Sequence, residues 1–164
     1  MNDEAEFSAD ERIAWMTLAA LMVTLPTAID AQLKRDAGMN LFEYGILAAL
    51  ADAPEDAVQM TRLADLIAGS VSRLSHAVTR LERHGWAQRR THHHGPRRTE
   101  VALTETGREL LAQVTPLHVR EVRRLVLDAL TTDQVNQLRH LCDQMLPTVA
   151  PGLPALLAAT LRTT

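Results

Sequence analysis

One cysteine, Cys142, stands in a chain of 164 residues, so no intrachain disulfide, thiolate cluster or redox pair can be built from it. A reducing compartment, the cytoplasm, suits such a chain. Catalytic signatures are missing as well: there is no glycine-rich phosphate loop, no nucleophile elbow and no Ser-His-Asp arrangement. The acids Asp52, Glu55 and Asp56 cluster without a nucleophile or metal-spaced histidines and read as a solvated loop. Neither an enzymatic activity nor a cofactor is expected. The start of the chain, with Asp3, Glu4 and Glu6, lacks the basic region of a leader. No run approaches roughly 18 uninterrupted apolar residues, so secretion and membrane insertion are not expected. Aromatic residues make up only 3%, which makes Trp15 and the single tyrosine, Tyr44, conspicuous.

What is abundant is apolar aliphatic surface and locally concentrated arginine. An apolar content of 46% is enough for a core without covalent staples. The net charge of -3 conceals an uneven distribution. Between Met60 and Leu110 nine arginines (62, 73, 80, 83, 89, 90, 97, 98, 108) face five acids (65, 82, 100, 105, 109), giving 9 minus 5, or +4. The remainder carries 8 minus 15, or -7. All nine cations are arginine, the side chain suited to planar, bidentate contact with phosphate or guanine.

Ser8 with Glu11 is a capping box, and the apolar positions Ala14, Leu18, Leu21, Leu25 and Ile29 extend a first helix to about Arg35, with a kink predicted at Pro26. Asn40 and Glu43 cap a second helix with Leu41, Tyr44, Leu47 and Leu50 on its apolar face. Pro54 and its neighbours read as a loop. Met60 to Ala68 reads as a third helix, ended by Gly69 and Ser70, and Ser70 caps a fourth in which Leu74, Ala77, Val78 and Leu81 form one stripe. Trp86 to Arg90 and Arg98 to Leu103 read as a hairpin with Gly95-Pro96 at its tip. Thr104 opens a helix to about Leu130, interrupted at Pro116. Thr131 and Gln134 cap another, ended by Pro147, and Pro151 to Leu161 reads as a last short helix.

The predicted fold is mainly α: a winged helix-turn-helix with a two-stranded β-wing, flanked by terminal helices forming a dimerisation domain. Residues 8–36 and 116–164 form the helical dimerisation region and residues 40–110 the DNA-binding region. Helix, turn, helix and arginine-tipped hairpin is an order suited to double-stranded DNA, one helix lying in the major groove and the hairpin beside it. The fourth helix carries the polar residues such a task needs. Ser70, Ser72, Arg73, Ser75, His76, Thr79, Arg80 and Arg83 are the candidate contacts there, and Arg97 and Arg98 those of the hairpin. The first helix and those after Thr104 carry more apolar surface than a small winged domain covers, which predicts a homodimer. A module that uses the same fold for protein contacts, or an antirepressor, is the alternative.

Met60-Thr61-Arg62-Leu63-Ala64, Ser70 to Ser75, Val78 to Trp86 and Leu103 to Gly107 together resemble the MarR family of bacterial regulators, in helix order over roughly residues 8 to 146. The resemblance implies a homodimer, a repressor reading a pseudo-palindrome, and a small aromatic effector held between the two regions. Trp15, Ala19, Met22, Tyr44 and Leu47 are the candidate effector contacts. In one place the sequence departs from the family: the wing's Asp-x-Arg is here Gly95-Pro96-Arg97. His92, His93 and His94 adjoin that tip, but consecutive hairpin residues point to alternate faces and no metal site is expected. His118 and His140 read as interface histidines, and Cys142 as a packing residue.

Overall fold

The computed structural model describes residues 6–53, 56–92 and 98–153. Helices α1 (Ala9–Ala37) and α2 (Leu41–Ala51) precede a short strand β1 (Ala57–Gln59). Helices α3 (Met60–Leu66) and α4 (Val71–Arg83) lead into strands β2 (Ala87–His92) and β3 (Arg98–Leu103). Helix α5 (Glu105–Leu125), one 3-10 turn and helix α6 (Thr132–Val149) follow. The predicted helix over Pro151 to Leu161 lies mostly outside the described residues.

Local capping sets most boundaries. Both expected boxes form at α1 and α2: Ser8 and Glu11, and Asn40 and Glu43, satisfy each other's backbone N–H groups. A third, Thr131 with Gln134, opens α6. Asp30 of α1 reaches across the chain to accept the Leu41 N–H at 2.6 Å, fixing the angle at which α2 leaves α1. Pro26 lies inside the first helix as expected, whereas the interruption at Pro116 and the end at Pro147 do not appear. The helices run on through Pro26, Pro116 and Pro147, so none of the three is a break. Each proline removes one bond at a cost of about 3 kcal/mol. In α5, Leu111 and Val114 are buried on the N-terminal side of Pro116, and Val122 packs on the core beyond it, so the helix is anchored on both sides. The α5 helix stops at Leu125, earlier than predicted, and the chain turns through Leu127–Ala129.

The sheet has three strands in the order β1-β3-β2, all antiparallel. The wing is the β2–β3 hairpin, and β1 adds the pairs Ala57↔Ala102, Val58↔Val101 and Gln59↔Glu100 along its other edge. The segment read as a loop therefore contains a strand, but three residues are too short to show alternation. Behind the sheet, Leu33, Met39, Ile46, Leu47, Leu50, Leu63, Leu74, Val78, Leu81 and Val101 are fully buried. A leucine buried this completely contributes about 1.5–3 kcal/mol. Gly107 brings α5 against the base of the wing: a Cβ there would lie 2.1 Å from the Trp86 carbonyl oxygen, so any side chain forces the two apart.

The two ends of the chain contrast with this core. Helix α6 buries no residue, and α1 buries only Ile29, Gln32 and Leu33, all in its C-terminal half. Ile13, Trp15, Met16, Leu18, Leu21, Met22 and Val23 of α1 are exposed, and so are Leu138, Leu141 and Met145 of α6. At 100° per residue the α1 set points in every direction. By length and composition α1 could cross a membrane, a property absent from the sequence expectation because charged and polar residues interrupt its apolar runs. A helix apolar all round belongs in the middle of something.

Candidate nucleic-acid interface

The turn between α3 and α4 is tight for two separate reasons. Ala68, with φ of 49°, takes the left-handed conformation predicted for a glycine, and α3 ends at Leu66 rather than at Ala68. Gly69 is required by space instead: a Cβ would meet the Phe42 ring at 2.8 Å. Ser70 then caps α4, its hydroxyl accepting the Arg73 N–H at 3.2 Å. That candidate contact is thus a structural cap in the first place.

Helix α4 divides cleanly. Leu74, Ala77, Val78 and Leu81 are buried, and opposite them Ser72, Arg73, His76, Arg80 and Arg83 are exposed. Five residues so spaced fall within an arc of about 100°. Ser75 and Thr79 lie on the flank facing β2 and are partly covered. Two of the exposed arginines are braced from α2. The Arg73 guanidinium sits over the Phe42 ring, 4.0 Å from its centroid. Arg80 Nε lies 3.1 Å from Glu43 Oε1, a carboxylate only 3% exposed. Glu43 also accepts the Asn40 N–H, so its capping role and its ion pair share one side chain.

Arg89 of β2 is the most connected side chain near the interface, and the sequence reading counted it only as charge. Its guanidinium pairs with Glu82 and donates to Ser75 O at 2.8 Å, Ser75 Oγ at 3.2 Å and Thr79 Oγ1 at 3.2 Å. Thr79 in turn donates to Ser75 O. Arg108 is occupied too: it pairs with Asp56, whose hydrogen bond raises the guanidinium pKa. With Arg89 and Arg108 paired to carboxylates of their own chain, the count of nine overstates the charge available to a partner, whereas Arg80 stays 54% exposed beside Glu43. Sequence alone gave no signal for these pairings beyond hydroxyls and a glutamate on one flank of α4. Arg98 opens β3 opposite His92. Arg97 and the tip residues His93 to Pro96 lie outside the described residues.

The five candidate effector contacts do not converge within one protomer. Leu47 is fully buried in the core. Tyr44 donates its hydroxyl to Thr115 at 3.3 Å, and its ring lies 4.3 Å from that of His118, whose pKa is lowered by burial. Trp15 and Met22 are half-exposed on the other half of α1, and Ala19 lies between them. Trp15 precedes Ile29, where α1 enters the core, by about 21 Å of helix. A cleft of about 660 Å³ does lie between α1 and the winged unit, with Pro26, Leu41, Phe42, Ile67, Arg73 and Arg80 among its walls, and none of the five lines it. Cys142 is exposed on α6 within one protomer, and His140 meets Gln144 at 3.2 Å. Among the described residues no group of histidines, cysteines and acids could hold a metal ion.

An HxlR-like helix-turn-helix family model matches residues 42–125. The MarR family transcriptional regulator Sco3205 from Streptomyces coelicolor, solved in complex with DNA, is 37% identical, with a TM-score of 0.85 over 90% of this chain and 92% of that one. AbsC, a MarR family regulator from the same organism, is 30% identical, with a TM-score of 0.80 over 92% and 98%. A MarR/EmrR family regulator from Acinetobacter sp. ADP1 shares the fold at 20% identity and a TM-score of 0.74 over 87% and 98%. No curated protein matches the sequence. Fold, turn and exposed α4 face define a winged helix-turn-helix protein. The chain belongs to the MarR family, with the HxlR-like helix-turn-helix in its α2–α5 stretch, and it is a DNA-binding transcriptional regulator rather than an enzyme.

Proposed function

We propose that the protein is a homodimeric repressor in which residues 8–36 and 116–164 join two copies and residues 40–110 of each read one half of a pseudo-palindromic operator. The observation that carries this is the exposed polar arc of α4, Ser72, Arg73, His76, Arg80 and Arg83, set on a rigid unit whose apolar ends lie elsewhere. Helix α6 buries nothing within its own chain, and a second copy supplies what it lacks. Sco3205 was crystallised with DNA, which supports the same partner here. DNA as partner puts the protein to work in the bacterial cytoplasm. Repression requires only that the bound dimer occupy its operator.

The same reading includes release by a small aromatic ligand. The cleft between α1 and the winged unit supports it, because Phe42 and Arg73 form part of its wall and an occupant would touch a residue of the reading face. A ligand that fits better when the two reading heads are wrongly spaced shifts the population away from DNA. Fluorescence anisotropy of a labelled duplex tests both parts. Six or more phosphate contacts per dimer would lower affinity by about a thousandfold between roughly 50 and 200 mM salt. A flat response over that range contradicts DNA binding through this face. Salicylate-like acids added at fixed salt should release the duplex; acids that bind without changing DNA affinity dispose of the effector reading alone.

A further inference from the structure

We infer that Arg89 is a positioning residue for sequence recognition: from the wing strand it sets the rotation of α4 about its own axis, and so decides which α4 side chains meet base edges. The inference rests on the DNA reading above. A guanidinium is a planar fork with donors in fixed directions. Here it spans Glu82, the Ser75 carbonyl and hydroxyl, and the Thr79 hydroxyl, two successive turns along one flank of α4. The Arg89 backbone N–H adds a bond to Glu82 Oε1 at 2.8 Å, so backbone and side chain of β2 both grip the helix. A helix held at three levels on one flank cannot roll without breaking bonds at each of them.

Two consequences follow for the reading face. The Thr79 hydroxyl donates to Ser75 O and accepts from Arg89, and the Ser75 hydroxyl accepts from the same guanidinium, so these two side chains serve the wing rather than the bases. Base reading falls to the exposed arc of Ser72, Arg73, His76, Arg80 and Arg83. Arg89 itself is about one-quarter exposed, and its charge is directed at Glu82 rather than outward.

Arg89→Lys separates the roles because it keeps the charge and loses the fork. The probe is the duplex that the unaltered protein selects from random-sequence DNA, together with single-base variants of it. If Arg89 positions α4, Arg89→Lys lowers discrimination between selected and substituted duplexes by about tenfold across several positions. Its salt dependence and its affinity for random DNA stay as they were. Thr79→Val, which removes the hydroxyl at nearly constant volume, gives a similar broad loss, and the double variant is little worse than either alone. A phosphate contact gives the opposite pattern and overturns the inference: Arg89→Lys is silent, while Arg89→Met lowers the salt slope by about one and leaves discrimination intact. Loss of discrimination at a single base pair in Thr79→Val, with Arg89→Lys unaffected, overturns it too, because Thr79 then reads a base directly. Thermal melting of each variant separates these outcomes from unfolding, and Thr79→Val carries the test if Arg89→Lys does not fold. Absence of any DNA binding by the unaltered protein would remove the underlying reading and this inference with it.

Discussion

Leu21→Glu is expected to convert the protein to monomers and to lower its affinity for the selected duplex by at least about a hundredfold, the gap between specific and non-specific binding being about 10³–10⁷. Leu21 is 54% exposed in one protomer and lies outside the buried core, so the substitution spares the winged unit. Its cost appears when two copies meet. A carboxylate placed among Leu18, Met22 and the apolar residues of a partner must be desolvated without a counter-charge, at several kcal/mol per ion. One winged head then keeps only its own half of the phosphate and base contacts. Sedimentation velocity and anisotropy on the same sample check the prediction. Unchanged dimers would show that α1 does not lie in the interface.

Arg73→Ala should relax base preference at one position in each half-site by about 1–3 kcal/mol, roughly 5- to 150-fold. His76→Ala should do the same at a neighbouring position. Arg97→Ala, at the tip predicted from the sequence, and Arg98→Ala should weaken binding evenly across sequences and reduce its salt dependence. The Phe42 ring beneath the Arg73 guanidinium sharpens the expectation, since an exposed cation–π contact contributes about 0.5–1 kcal/mol. Phe42→Leu should therefore reproduce the Arg73→Ala profile at the same base pair with a smaller amplitude. Competition binding on duplexes mutated one base pair at a time reads all of these. An unchanged profile in Arg73→Ala removes it from the reading face.

Much of this frame was legible in the residues because caps and periodicity are local. Ser8, Asn40, Ser70 and Thr131 mark helix starts that the structure retains, and the buried stripe of α4 is the one its spacing predicts. Errors arose where a local rule met a non-local balance. Proline as a helix breaker failed in α5 and α6, each long enough to absorb one missing bond. Strand β1 escaped because its pairing with β3 is a long-range fact about three residues. The polar face of α4 was legible as a set of residues but not as an arrangement. Ser75, Thr79 and Arg89 all carried the right chemistry, and only their placement shows that they bond to one another. The candidate effector contacts rest on the resemblance and on aromatic scarcity, neither of which gives a distance; Trp15 is half-exposed on α1, whereas Tyr44 bonds to Thr115.

The central claim is that a dimer of this chain reads DNA through α4. Its most direct test is sequencing of duplexes enriched from a random pool by the purified protein, with stoichiometry measured on the winning fragment. The account predicts a pseudo-palindrome whose half-sites are centred about 10 bp apart, or a multiple of that, occupied by two chains per duplex. Recovery of no common sequence, or of a single asymmetric site filled by one chain, would contradict it.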